Sequence, residues 1–143
     1  MSASDYDPSP TDWVRKQVEA IEAAGDTSAA EIMGRPVVVL TMVGARSGRT
    51  RKVPLMRVEH DGTYAAVASK GGAPEHPVWY HNLRAHPQIS LQDGSTTVEV
   101  LAREISGAER EEWWTRCVAA YPPYADYQTR TDRLIPVFLL ESV

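Results

Sequence analysis

Apolar and β-branched residues crowd Arg35 to Val43 without alternating with polar ones, a pattern that predicts a strand buried on both faces. Thr50 to His60 reads as a second strand, in which Pro54 marks an edge or a bulge. Asp61-Gly62 is a hairpin turn, and Thr63 to Ser69 is the strand that returns from it. Gln88 to Gln92 and Thr96 to Glu104 pair around Asp93-Gly94, and Ile135 to Leu140 forms a terminal strand. Elsewhere the period lengthens. Trp13, Val14, Val18 and Ile21 make a narrow helical stripe, with Ser9 as cap, Pro10 at the first helical position, Asp12 in the first turn and Gly25 as the stop. Pro77 opens a short helix, Val78 to Ala85, that ends near Pro87. Ser106-Gly107-Ala108-Glu109 has capping-box spacing and begins a helix carrying Trp113, Trp114, Cys117, Val118 and Tyr121, which Pro122-Pro123 breaks. About six strands, mostly joined by hairpins, with helices at the ends and in one crossover, predict an α+β fold: a small barrel with peripheral helices.

With 143 residues the chain suffices for one hydrophobic core. Residues 1–30 are expected to form an N-terminal segment and helix, and residues 31–143 the barrel domain. A net charge of -4 disfavours general binding of nucleic acid. The single cysteine, Cys117, excludes an internal disulfide and points to a reducing compartment. Met1 to Pro10 is polar and acidic without a signal-peptide core, and no run approaches the roughly 18 apolar residues of a membrane span. These features predict a cytoplasmic protein. Glu19 and Glu22 leave the first helix without a basic face, so membrane contact is expected to be peripheral at most.

Charge is distributed unevenly within that acidic whole. Gly44-Ala45-Arg46-Ser47-Gly48-Arg49-Thr50-Arg51-Lys52-Val53-Pro54-Leu55 carries four cations and two glycines, and no acid occurs from Val43 to Val58. Glycine lets backbone N–H groups approach a ligand, and guanidinium forks match phosphate and carboxylate oxygens. The pattern therefore suits one small polyanion, although strand alternation sends Arg51 and Lys52 to opposite faces. It is not a P-loop: three residues separate Gly44 from Gly48 where four are needed, and a strand follows instead of a helix.

A second block, Ala68 through Leu83, joins a strand end, the glycines Gly71 and Gly72 and the aromatics Trp79 and Tyr80. It is either a ligand cradle or a turn with one aromatic in the core. His76, His81 and His86 recur every five residues without cysteine or carboxylate support, so no metal site is expected. Cys117 sits on an apolar stripe and reads as a core residue. Tyr121, Tyr124 and Tyr127 are spaced by three and read equally as core packing or as an aromatic lid.

Taken together these blocks resemble the deazaflavin-dependent nitroreductase family, whose members use reduced coenzyme F420. The matching parts are Gly44 to Gly48 with Arg51 and Pro54-Leu55, Ala68 to Ala73, Pro77 to Leu83, Tyr121 to Gln128, and Thr131-Asp132-Arg133-Leu134-Ile135-Pro136. The resemblance implies a split β-barrel like that of the flavin-mononucleotide-binding oxidases. It also implies an 8-hydroxy-5-deazaflavin whose phosphate and oligoglutamate tail lie in a cationic groove. Arg46, Ser47, Arg51 and Lys52, with Ala45 in the same loop, would then serve the phosphate and carboxylates. Val53, Pro54, Leu55 and Met56 would line the ring with Val67, Ala68, Ser69 and Lys70, and Val78, Trp79, Tyr80, His81 and Asn82 would close over it. Tyr124 would touch the ring, while Tyr121, Tyr127 and Ser69 would shape the acceptor pocket as the catalytic group. Arg46 stands where the family often has lysine, and Lys52 where it tolerates neutral residues.

On that resemblance the expected activity is hydride transfer to a small electrophilic acceptor, a quinone, nitroaromatic or activated enone, with a phenol or water supplying the proton. Positioning and a dry stacking surface suffice for such a step. A flavin-mononucleotide enzyme on the same barrel and a non-catalytic deazaflavin-binding protein are the alternatives. A homodimer is a further expectation.

Overall fold

The computed structural model describes residues 6–143, so the expectations for residues 1–5 lie outside the described residues. The chain runs α1 (Asp12–Ala24), β1 (Glu31–Ile32), β2 (Arg35–Val43), β3 (Thr50–Met56), β4 (Glu59–His60), β5 (Thr63–Val67), α2 (Val78–Ala85), β6 (Gln88–Asp93), β7 (Thr96–Glu104), α3 (Gly107–Ala120), α4 (Pro123–Thr129) and β8 (Val137–Ser142). Every strand pair is antiparallel, in the order β1-β2-β6-β7-β8-β5-β4, and β3 pairs with β2 beside that path.

The segment expected as one strand, Thr50 to His60, divides at Arg57-Val58. Its first part pairs with β2, Val37 opposite Met56 through Val43 opposite Thr50. Its second part pairs with β5, Glu59 opposite Tyr64. At the junction the Arg57 N–H donates to the Pro36 carbonyl (3.1 Å) and the Ala65 N–H to the Val58 carbonyl (2.9 Å). One continuous segment thus joins opposite ends of the sheet, which curls it into a split barrel. Pro54 is tolerated because the one named strand that β3 pairs with is β2. Asp61 (φ 52°) and Gly62 (φ 83°) both take the left-handed conformation that a tight hairpin requires.

Burial on both faces of β2 and β8 explains their unbroken apolar runs. Val38, Leu40 and Met42 of β2 pack with Ala66, Phe138 and Leu140 in a cluster that α2 plugs with Tyr80 and Leu83. Ala65, Val67, Val137 and Leu139 belong to a second cluster with Trp113 and Cys117 of α3. Val37 and Val39 meet Ile21 of α1.

Three local expectations need correction. The cap of α1 is Thr11 rather than Ser9; the Ser9 hydroxyl instead accepts from the Thr11 N–H (3.1 Å), leaving Pro10 outside the helix. Trp13 is 55% exposed, so the buried stripe narrows to Val18 and Ile21. At α3 no capping box forms: Ser106 makes no side-chain bond there, and Glu109 is held by both terminal nitrogens of Arg103 at 2.9 Å. The tandem prolines do end α3, but Pro123 also begins the helix α4 that carries Tyr124 and Tyr127.

Candidate functional site

The loop between β2 and β3 is closed by its own backbone, Gly44 N–H to Arg49 carbonyl (2.8 Å) and Gly48 N–H to Gly44 carbonyl (3.0 Å). Gly44 leaves room for the Ser47 hydroxyl: a Cβ there would stand 2.6 Å from it and displace it from the Arg49 N–H, from which it accepts (3.1 Å). From α2, Asn82 reaches into the loop. Its Oδ1 accepts from the Ala45 N–H at 2.9 Å, and its side chain is buried against Met42. Loop and helix together border an open cavity of about 560 Å³ lined by Asp7, Gly44, Ala45, Arg46, Ser47, Arg51, Val78, His81 and Asn82.

The cations of this region are less exposed to a ligand than their spacing suggests. Arg51 meets Asp7, Nη1 to Oδ2 at 2.7 Å. Lys52 pairs with Glu22 of α1 and lies 5.2 Å from the centre of the Tyr6 ring. Arg57 grips both carboxylate oxygens of Asp93 at 3.0 Å. Its partner Tyr64 donates to Asp93 at 2.6 Å, and burial together with that bond pushes the Tyr64 phenol up to about 12. Arg46 and Arg49 have no carboxylate partner among the described residues. As alternation predicts, Arg51 and Lys52 face different spaces: Lys52 lines a second cavity of about 950 Å³ with Tyr6, Glu22, Thr41, Ile89, Ser90 and Glu99.

Between Ser69 and Ala73 the chain makes a tight turn in which Lys70 (φ 46°), Gly71 and Gly72 all have positive φ. A Cβ on Gly72 would lie 2.7 Å from the Tyr127 carbonyl oxygen, so α4 rests directly on this turn. Arg133 gathers the turn from the other side. It donates to the carbonyls of Ser69 (2.8 Å), Ala73 (2.9 Å) and Ala68 (3.1 Å) and contacts Nδ1 of His76 at 3.0 Å. His76 stacks on Tyr80 at 4.1 Å. Tyr80 is buried, donates to Glu104 (3.2 Å) and shares contact with Phe138 with its neighbour Trp79; both rings reach the same core although adjacent in sequence.

Tyr121 and Tyr124 pack inside the second core, their rings 4.9 Å apart, and Tyr127 is half-buried. The hydroxyls of Tyr121 and Tyr127 bond at 3.0 Å. Burial and that bond push Tyr121 up to about 12, and burial raises Tyr124 as well, so both phenols stay protonated at neutral pH. Cys117 is fully buried and pushed up to about 12, an inert core thiol as expected.

The site residues expected from the sequence therefore divide. Ala45, Arg46, Ser47, Arg51, Val78, His81 and Asn82 gather around the smaller cavity, and Lys52 lines the larger. Val53 and Leu55 flank the first core, to which Ala68 belongs, while Met56 and Val67 belong to the second. These, with Pro54, Ser69, Lys70, Trp79, Tyr80 and the three tyrosines, line neither cavity. Asp7 and Arg133 were missed. Arg133 lies within a matched motif but its four acceptors are between 57 and 65 residues away in sequence, and nothing near the cationic loop signals Asp7. Among the described residues no group of three or more His, Cys, Asp or Glu side chains is placed to hold a metal, and no helix is long and apolar enough to cross a membrane.

Comparison with known proteins adds an independent line. The family model described as F420H(2)-dependent quinone reductase matches residues 13–142. An F420H(2)-dependent quinone reductase of Mycobacterium tuberculosis is 33% identical over 108 residues, 73% of this chain and 72% of that protein. The solved structure of an F420-H2 dependent reductase, FDR-A, is 57% identical with a TM-score of 0.71, covering 78% of this chain and 99% of the other. A structure described as a domain-swapped dimer is also 57% identical, with a TM-score of 0.74 over 93% of this chain and all of that one.

Proposed function

This chain belongs to the F420H(2)-dependent quinone reductase family, and on that premise we propose that it transfers a hydride from reduced coenzyme F420 to a quinone, with nitroaromatics and activated enones as further acceptors. The observation that carries the reading is the cavity walled by Arg46, Ser47 and Arg51 on one side and by Val78 and His81 of α2 on the other. Its donor set fits the carrier. Guanidinium groups and a hydroxyl suit phosphate and glutamate oxygens.

When bound, the reduced deazaflavin supplies the hydride. The protein's own residues then hold, orient and exclude water. Arg46 and Ser47, with Arg51, would hold the anionic tail, while Val78, His81 and Asn82 of the same cavity would border the ring. The Ser69–Ala73 turn, fixed by Arg133, with Val53, Pro54, Leu55 and Lys70, would form the wall toward the ring, backed by Met56, Val67 and Ala68 from the cores. Of the three phenols Tyr127 has open surface, and its backbone meets Gly72 of that turn. Tyr127, with Ser69, would complete the acceptor side, where a protonated phenol donates a hydrogen bond to the acceptor oxygen, while Tyr121 and Tyr124 support it from the second core. The reading assigns residues 31–143 to the carrier-binding barrel, in the cytoplasm, and includes a homodimer, which the domain-swapped neighbour supports.

A fluorescence titration with oxidised coenzyme F420 tests it, followed by oxidation of the reduced form against quinones, nitroaromatics and enones. Saturable binding and turnover with quinones are expected; no saturable binding ends the reading.

A further inference from the structure

We propose that Asp7 competes internally for the anion site, and that this competition sets how much negative charge a carrier must bring to be held there. The inference rests on the deazaflavin reading above and concerns its selectivity.

Asp7 is the one acid among the residues lining the smaller cavity. Its carboxylate sits 2.7 Å from Arg51, where a ligand oxygen would otherwise sit. Backbone holds it there: the Asp7 N–H donates to the Thr50 carbonyl (2.8 Å), and Tyr6 forms a parallel bridge with Thr50. Asp7 lines the smaller cavity and Tyr6 the larger, so residues 6 and 7 form a wall between the two. Glu22 covers Lys52 on the other face in the same way. The N-terminal part of the chain thus places a carboxylate on each adjacent cation of β3.

The selectivity follows from charge and exposure. Arg51 and Asp7 remain 27% and 38% exposed, so dissolved anions reach the pair. A ligand bringing one carboxylate merely replaces another carboxylate that is tethered nearby and present at high effective concentration. A ligand bringing a phosphate and several carboxylates engages Arg46 as well, and its added contacts displace Asp7. A neutral carrier never meets this competition.

The test uses the full chain and Asp7→Asn, which keeps shape and backbone bonds while removing the charge. Three probes are titrated: oxidised coenzyme F420, the riboflavin-level deazaflavin that lacks phosphate and glutamates, and inorganic pyrophosphate. The variant is expected to bind coenzyme F420 and pyrophosphate about threefold tighter or more, with the tail-less carrier unchanged. Adding Arg51→Ala is expected to abolish the gain. Unchanged or weaker binding of both anions by Asp7→Asn, or an equal gain for the tail-less carrier, overturns the proposal. Tighter pyrophosphate binding with no binding of coenzyme F420 supports the role of Asp7 and sinks the redox reading instead.

Discussion

Arg133 Nη1 lies 3.0 Å from Nδ1 of His76. A guanidinium only donates, so His76 accepts at Nδ1 and its neutral form carries the proton on Nε2. Burial first, and then the charge of Arg133, hold the His76 pKa below its ordinary 6.5. Because the folded value is the lower one, the contribution of neutral His76 to stability is complete above about pH 6.5 and declines as pH falls towards the folded value. An NMR titration of the ring is expected to give a midpoint below 6.5; a midpoint at or above it refutes the pairing.

Replacing Arg133 by lysine keeps the charge but not the fork. The carbonyls of Ala68, Ser69 and Ala73 cannot all be satisfied by one ammonium at these positions. A loss of about 2 kcal/mol or more in urea unfolding is expected, at roughly 1 kcal/mol per hydrogen bond lost. A variant as stable as the parent would show that the turn holds itself.

Asn82→Ala removes the acceptor of the Ala45 N–H and the link between α2 and the cationic loop. The expected penalty is about 0.5–1.5 kcal/mol in stability, since the exposed Ala45 can turn its N–H to water. A weakening of coenzyme F420 binding is expected with it, because the loop no longer presents Arg46 and Ser47 in one arrangement. Equilibrium unfolding and a fluorescence titration read the two effects separately.

Arg46→Ala combined with Arg51→Ala is expected to weaken binding of oxidised coenzyme F420 by at least about tenfold, since charge-assisted contacts contribute roughly 1.5–3 kcal/mol each. Affinity equal to that of the parent would refute the tail-binding role of this loop.

Gly72→Ala sets a Cβ 2.7 Å from the Tyr127 carbonyl at a residue with φ +83°. Neither backbone can yield cheaply, so α4 must lift from the turn. A lowered melting temperature and altered tyrosine emission are the expected results, and unchanged values for both would contradict the contact.

Local patterns were readable where neighbours in sequence decide the outcome. The strand Arg35 to Val43, the helix Val78 to Ala85 behind Pro77 and the strand Thr96 to Glu104 appear with the boundaries expected of them. What escaped depends on distant partners. Arg51 and Lys52 seemed uncompensated because Asp7 and Glu22 lie more than twenty residues earlier. The division at Arg57-Val58 is imposed by Pro36 and Ala65, not by any turn signal within the segment. Tyr121 and Tyr124 were open to two readings, and their burial was decided by α3 and β8 rather than by their spacing. Glu109 forms no box with Ser106 because Arg103, on the preceding strand, offers two charge-assisted bonds.

The placement of β8 bears on how the chain is made. Late in sequence, it lies between β7 and β5 and pairs with both. A polypeptide still emerging from the ribosome therefore carries two separate strand groups, and residues 137–142 must arrive before they unite. Such long-range closure is slow, and the waiting edges of β5 and β7 are open to pairing with another copy until it is done.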